Sequence, residues 1–208
     1  MKREHWLNRF AADITKMKGA EFPAGRMCHA EIIIPISEGK YVKASVIKKS
    51  YNGMDDKGQI KWKKGCVHCK LTQPSEWKQK YVFLTIHASR EQIKKALNFY
   101  MVNNGQEFNH VGYYANLVVP GGIGVRKYDE TLMKNPRPYF CTEFVVTGLQ
   151  ALASTESTDS FEEGEWQHGI NQMNPATSNP NSLYDVLSAS KNVYSTNPLG
   201  KSLDVDIV

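Results

Sequence analysis

The sequence has no long hydrophobic run, few cysteines and no strong excess of either charge. No apolar run approaches the roughly 18 residues that a membrane-spanning helix needs. The opening residues, MKREHW, are not followed by the apolar stretch of a secretory signal. These absences predict a protein without a membrane span. The formal net charge of +5 favours no particular partner, and we expect no specific nucleic acid.

The cysteine content argues against a disulfide scaffold. The 208 residues include four cysteines, Cys28, Cys66, Cys69 and Cys141, whereas small disulfide-stabilised proteins carry many more for their length. We therefore expect free thiols. The length suits one domain with a sizeable core and is too short for two, so residues 1–208 are predicted to form a single domain.

The hydrophobic pattern predicts both strands and helices. A strand that begins at His29 is expected to end at Pro35, and a turn over 37–40 leads into an antiparallel partner strand over 41–47. Ser89 and Gln92 match the capping box that precedes many helices. The other predicted elements are a helix over 6–17, strands over 81–86 and 203–208, a short turn of structure over 111–119, and helices over 141–153 and 179–187.

Two segments carry little regular pattern. Residues 48–80 are rich in Lys, Gly and Asp, with Trp62 and Trp77 as isolated apolar residues, and are predicted to form an irregular, partly exposed insertion. Residues 154–180 are dominated by Ser, Thr, Asn and Glu and are predicted to form a mobile surface loop.

Cys141 lies in the first turn of its predicted helix. Residues 136–138, Pro-Arg-Pro, lead into it, and the apolar side chains of Phe144, Val145 and Leu149 are expected to bury the helix body. Unpaired backbone N–H groups and the macrodipole at a helix N-terminus stabilise a thiolate. The position predicts a nucleophilic cysteine, whereas a free cysteine elsewhere is most often a small core residue.

His29 is the candidate base for that cysteine. It stands at the start of a β-branched run, Ile32 to Ile34, and the end of a buried strand fixes an imidazole in one orientation. A cysteine and a histidine that are distant in sequence and adjacent in the fold are the usual arrangement of a thiol hydrolase.

Two further motifs leave alternatives open. Cys66-Val67-His68-Cys69 has the spacing of a zinc half-site but lacks a second pair of ligands, so we favour a surface loop or redox-sensitive pair, with no metal and no cofactor. The basic stretch 57–80 interleaves lysines with aromatic residues, as surfaces that bind nucleic acid or anionic lipid do. Charge runs of this kind are usually solvated faces.

The order of these elements resembles the circularly permuted NlpC-type branch of the papain-like superfamily, in which the histidine precedes the cysteine. The resemblance is carried by His29-Ala30-Glu31-Ile32 and by residues 139–145, YFCTEFV, and extends thinly from about Arg26 to Leu187. The branch includes cell-wall-related hydrolases, YiiX-like proteins, poxviral virion proteins and, more distantly, lecithin:retinol acyltransferase-like enzymes. It implies an α+β fold in which a small antiparallel sheet or half-barrel packs against the cysteine-bearing helix.

The resemblance implies that Cys141 is the nucleophile and His29 the base. The third catalytic residue, which orients the imidazole, is where the chain departs from the pattern. Relatives often carry a glutamate in the second hairpin strand, where this chain has Lys43, and a lysine cannot accept the imidazole N–H. Glu31 is the first candidate for the third position and Ser45 is the alternative.

The resulting hypothesis is a cysteine hydrolase that cleaves an amide bond through an acyl-enzyme on Cys141. Tyr139, Tyr113 and Tyr114 are expected to line the substrate groove, and the substrate to be a peptide, a cell-wall peptide or a lipid amide. The alternatives are a catalytically degenerate virion-associated or structural protein of the same fold, and a thiol acyltransferase that acts on lipid. A cytoplasmic or virion location is expected.

Overall fold

Two antiparallel sheets and five α-helices make up the part of the chain that the computed structural model describes, residues 29–54, 60–73, 83–118, 127–154 and 164–196. This content confirms the α+β class. In the larger sheet the strands lie in the order β1 (Ile32–Ser37), β2 (Lys40–Met54), β3 (Ile60–Thr72), and in the smaller β4 (Phe83–Ile86) pairs with β5 (Val193–Thr196). The helices are α1 (Arg90–Val102), α2 (His110–Val118), α3 (Cys141–Ala153), α4 (Trp166–Gln172) and α5 (Pro180–Ser188), with single 3-10 turns at Glu130–Met133 and Pro175–Thr177.

The first hairpin forms where the sequence predicts it. Gly39 adopts a φ of 65° in the turn, a conformation that favours glycine. The prediction that Pro35 ends the first strand is wrong, because β1 continues to Ser37 with a register irregularity between Pro35 and Ser37. Because β1 lies at the edge of the described sheet, a residue without an N–H group is tolerated there.

The prediction of an irregular insertion is wrong over 48–54 and 60–72, while residues 55–59 and 74–80 lie outside the described part. Strands β2 and β3 continue through this segment as a long antiparallel ribbon, with Ile47 opposite Cys66 and Tyr51 opposite Trp62. Each strand satisfies the backbone hydrogen bonds of the other, so the ribbon does not need the alternating apolar pattern by which strands are predicted.

The prediction of a mobile loop over 154–180 is wrong from residue 164 onward, and residues 155–163 lie outside the described part. The segment contains α4, whose Trp166 and Ile170 are fully buried, and a 3-10 turn that leads into α5. The asparagines are caps: the side chain of Asn174 accepts the N–H of Ala176, and that of Asn179 starts α5. A composition that suggests disorder here supplies helix starts.

The predicted helices over 141–153 and 179–187 are present as α3 and α5. The helix after Ser89 is also confirmed, since the Ser89 hydroxyl accepts the Gln92 N–H at 3.2 Å and the Gln92 side chain accepts the Ser89 N–H at 2.7 Å. The short turn of structure predicted over 111–119 is wrong as far as residue 118, because residues 110–118 form the full helix α2, while residue 119 lies outside the described part. The Gly112 N–H of this helix donates to the Asn109 side chain. The strand predicted over 81–86 corresponds to β4, whereas the helix over 6–17 and the strand over 203–208 lie outside the described residues.

Helix α3 runs through the centre of the core. All thirteen of its residues are buried, and it packs closely against α1. The fully buried Tyr100 donates its hydroxyl to the Val145 carbonyl at 3.2 Å, and its ring lies 4.9 Å from that of Phe144. This packing fixes the axis of α3 and therefore the position of Cys141 at its start. Within the described ranges, no helix is long and apolar enough to cross a bilayer.

Gly148 permits the close approach of α1 and α3. A Cβ atom at this position would overlap the phenol of Tyr100, so we expect Gly148→Ala to lower the free energy of unfolding by about 1–3 kcal/mol, despite the better helix propensity of alanine. Urea unfolding followed by circular dichroism measures the change. Gly169→Ala on α4 is the matched control, because there only a methyl group of Val186 must move. Equal effects at the two positions would contradict this account.

Candidate active site

Cys141 and His29 come together although they are far apart in sequence. Cys141 is the first residue of α3, and His29 lies just before β1. Cys141 is buried, and its thiol interacts with the His29 imidazole and with the backbone N–H of Ala30. The hydroxyl of Thr142 lies 3.8 Å from Sγ. The edge of the sheet therefore presents the imidazole to the start of the helix.

Both candidates for the third residue contact the imidazole. Nε2 of His29 lies 3.1 Å from Ser45 Oγ and 3.3 Å from Glu31 Oε1. The register explains why: β1 and β2 pair Ile32 with Ala44, which brings Glu31, one residue earlier, beside Ser45. The Ser45 hydroxyl also hydrogen-bonds to Glu31. The imidazole is thus held by a carboxylate and a hydroxyl together.

Lys43 completes the cluster. Its Nζ lies 3.2 Å from Glu31 Oε2, so the two oxygens of the Glu31 carboxylate contact two different cations, Lys43 and His29. The Glu31 side chain is 11 % exposed and that of Lys43 is 24 % exposed. Lys43, which the sequence places where an acid was expected, is therefore the partner of the carboxylate that contacts His29.

The charges of the cluster stabilise one another. Burial alone would lower the pKa of His29, but its hydrogen bonds with Cys141 and Glu31 and their negative charges raise this pKa to about 10. Burial would raise the pKa of Glu31, but hydrogen bonds from His29 and Ser45 and the charges of His29 and Lys43 lower it to about 2. Between these two pH values the imidazole is protonated and the carboxylate ionised.

The pKa of the Cys141 thiol is also shifted in the direction that favours the charged form. Burial would raise its pKa, but the hydrogen bond and charge of His29, the Ala30 N–H and the Thr142 hydroxyl bring the pKa below the ordinary value. A thiolate paired with an imidazolium is the reactive form of a catalytic cysteine. The N–H of Cys141 adds a donor, because the first bond within α3 runs from the N–H of Phe144 to the carbonyl of Phe140.

Comparison with protein-family models, with curated proteins and with solved structures finds no match. The functional interpretation of this site therefore rests on its geometry and electrostatics.

The start of α3 is held by a buried polar network that the sequence did not predict. Glu143, fully buried, accepts hydrogen bonds from Arg137 Nη1 at 2.6 Å, Asn109 Nδ2 at 3.1 Å and the Phe140 N–H at 3.3 Å. Glu143 stands in the first turn of the helix, where a glutamate stabilises the helix start. Its partners Arg137 and Asn109 do not follow from local sequence spacing.

The three tyrosines predicted to line the groove occupy different places. The prediction is wrong for Tyr139, which is fully buried with its ring 5.3 Å from that of Phe144 and 4.3 Å from the Arg137 guanidinium. It supports the site from within the core. Tyr113 is half-buried with its ring 6.3 Å from that of Phe140, the residue before Cys141, and the neighbouring Tyr114 is 43 % exposed.

The Cys66–Cys69 motif lies in strand β3 and not in the loop that its neighbours suggested. The thiol of Cys69 donates to the Tyr100 carbonyl at 3.1 Å, and burial raises its pKa to about 11. Across the described part of the chain, no group of three or more His, Cys, Asp or Glu side chains is arranged to hold a metal ion.

Proposed function

We propose that this protein is a cysteine hydrolase of the papain-like type that cleaves an amide bond through an acyl-enzyme on Cys141. The observation that carries the proposal is the position of His29. Its imidazole interacts with the Cys141 thiol, and its Nε2 is held by Glu31 and Ser45. A nucleophile, a base and groups that orient the base are the requirements of covalent acyl transfer.

The first half-reaction begins from the thiolate–imidazolium pair. The Cys141 thiolate attacks the carbonyl carbon, and the resulting oxyanion is stabilised by the Cys141 backbone N–H at the start of α3. Because Nε2 is occupied by Glu31 and Ser45, Nδ1 of His29 donates its proton to the departing amine. The C–N bond breaks, the amine leaves, and a thioester remains on Cys141.

The second half-reaction restores the thiolate. Neutral His29 takes a proton from a water molecule, which attacks the thioester carbonyl. The C–S bond then breaks, the acid product leaves, and Cys141 returns as a thiolate beside an imidazolium. Throughout both steps Glu31 stabilises the positive imidazole and keeps its ring plane fixed.

The carboxylate beside His29 favours an active enzyme over a degenerate protein of the same fold. In a degenerate site the nitrogen turned away from the thiol would face water or a cation. Here Nε2 meets Glu31 and Ser45, while Lys43 binds the far oxygen of the carboxylate. The order of histidine before cysteine agrees with the permuted NlpC-type arrangement, which we propose as the family.

The aromatic side chains that lead from Phe140, the residue before Cys141, to the exposed face of α2 favour a substrate with an apolar or aromatic group. Tyr114 and Val111 are exposed on α2, at 43 % and 73 %, and Tyr113 contacts both Phe140 and Tyr114. Stacking on such rings is favourable for aromatic and apolar groups. A peptide, a cell-wall peptide or a lipid amide fits this description.

Alkylation by iodoacetamide tests the nucleophile directly. At about pH 7 we expect Cys141 to react at least about 100-fold faster than Cys69, because its pKa is lowered whereas that of Cys69 is raised to about 11. The Cys141 rate should level off at a lower pH than the Cys69 rate, because the two thiol pKa values are shifted in opposite directions. Peptide mapping by mass spectrometry separates the thiols, and similar rates at the two positions would contradict the proposal.

An activated ester, p-nitrophenyl acetate, tests the covalent step. We expect a burst of p-nitrophenol equal to the enzyme concentration and an acetyl group on the peptide that contains Cys141, with neither in Cys141→Ala. Slow deacylation by water supports the hydrolase. Faster transfer to an added amine or alcohol would identify the acyltransferase alternative, and a Cys141→Ala variant with an unchanged burst would refute the acyl-enzyme.

A further inference from the structure

The Glu31 carboxylate is shared between two cations of the site. Oε1 lies 3.3 Å from His29 Nε2, and Oε2 lies 3.2 Å from Lys43 Nζ. Lys43 and Ser45 stand two residues apart on β2 and therefore share one face of the strand. Glu31 is thus contacted by both residues from the neighbouring strand.

We propose that Lys43 is a positioning residue, which fixes the Glu31 carboxylate against His29 and sets the pH range in which the Cys141–His29 pair is reactive. The inference rests on the proposed function and adds a residue to its site. It assigns a role to the position where the sequence carries a cation in place of the expected acid.

The orienting part of the role follows from the geometry. A glutamate side chain has several rotatable bonds, and a half-buried carboxylate loses conformational entropy when it is held in one rotamer. The ion pair of Lys43 with Oε2 holds the carboxylate so that Oε1 faces Nε2 of His29. Without the ammonium group, the hydrogen bonds from Ser45 and His29 remain, among the residues that the structure describes, to hold Glu31 in this orientation.

The electrostatic part has a definite sign. The titratable groups that interact with His29 or with its partner Glu31 are Cys141 on α3, Glu31 ahead of β1 and Lys43 on β2. On the same face of β3, His68 pairs with Ser45 and Lys70 with Lys43. The positive charge of Lys43 disfavours the protonated forms of Glu31, His29 and Cys141. Its removal raises the pKa of Glu31, His29 and Cys141 together, so the whole reactivity profile moves to higher pH.

The experiment compares Lys43→Met, Lys43→Gln and Lys43→Arg with the parent protein. The readouts are the pH dependence of Cys141 alkylation by iodoacetamide and the titration of the His29 imidazole by NMR. We expect the Met and Gln variants to shift the midpoints upward by about 0.5–1 pH unit. In Lys43→Arg, which keeps the positive charge, the midpoints should stay within about 0.3 pH unit of the parent values. Two neutral replacements keep the test decisive if one of them folds poorly.

Lys70→Met is the matched control, because it removes the same charge from the position directly opposite Lys43 on β3, where Lys70 is exposed. We expect its shift to stay below about 0.3 pH unit, since an exposed charge is screened by solvent and salt. Shifts of equal size in Lys43→Met and Lys70→Met would show a general field effect and overturn the inference.

The two proposals fail in different ways. If Cys141 reacts no faster than Cys69 in the parent, the hydrolase proposal fails, while the NMR titration of His29 in Lys43→Met still measures the coupling. If Cys141 reacts selectively and neither readout moves in the Lys43 variants, the role of Lys43 is refuted and the hydrolase proposal stands.

Discussion

Replacement of His29 with alanine is expected to reduce the rate of Cys141 alkylation at about pH 6.5 by 100-fold or more. The buried thiol owes its lowered pKa chiefly to the hydrogen bond and charge of the imidazole. Without the imidazole, burial dominates and moves the pKa of the thiol above its ordinary value. Each unit by which this pKa rises removes about nine-tenths of the remaining thiolate. Iodoacetamide labelling with peptide mapping measures the rate.

The control for this experiment is His168→Ala. His168 lies on α4, where its Nε2 hydrogen-bonds to Gln172 at 2.8 Å, so its removal should leave the Cys141 rate unchanged. The thiol of Cys69 serves as an internal reference within each sample. A His29→Ala rate within threefold of the parent, or a loss of similar size in His168→Ala, would remove the basis for an activated cysteine.

The second large effect is expected at Glu143. Its carboxylate is fully buried and accepts hydrogen bonds from Arg137, Asn109 and the Phe140 N–H. Removal of one partner of a buried ion pair leaves the other charge without compensation, so Glu143→Ala should lower the free energy of unfolding by about 3–5 kcal/mol. Urea unfolding followed by circular dichroism and by aromatic fluorescence measures the loss.

An ion pair on the surface with the same nitrogen–oxygen distance provides the comparison. Lys95 Nζ and Glu130 Oε1 also lie 2.6 Å apart, but the Glu130 side chain is 70 % exposed. Glu130→Ala should therefore cost less than about 1 kcal/mol. The double variant Arg137→Met with Glu143→Leu should recover much of the stability, since it leaves no buried charge. If Glu143→Ala costs no more than Glu130→Ala, the buried network does not hold the start of α3.

Local sequence signals predicted the elements on which the site is built. The Ser89 and Gln92 capping box gave the start of α1, and the apolar run after Cys141 gave the bounds of α3. The turn at Gly39 gave the first hairpin. These features depend on residues within a few positions of one another, so they can be recognised without knowledge of the fold.

The elements that the sequence missed depend on partners that are distant along the chain. The β2–β3 ribbon was predicted as irregular because its strands are held by pairing with each other. Helix α4 was predicted as loop because its polar composition hides the buried pair Trp166 and Ile170. Tyr139 was assigned to the groove because nothing nearby in the sequence shows that Phe99 and Phe144 enclose its ring.

The sequence by itself determined the chemical character of the site, a cysteine at a helix start and a histidine just ahead of a strand. Only the tertiary structure decided how the histidine is held. Strand register places Glu31 beside Ser45 on the next strand, and Glu31 is also within reach of the Lys43 ammonium group. Lys43, which in the sequence stands where an acidic third residue was expected, is in the fold the partner of the carboxylate that contacts His29. The physical reason is that a pKa and an orientation depend on charges a few ångströms away in space, and register and packing determine which charges those are.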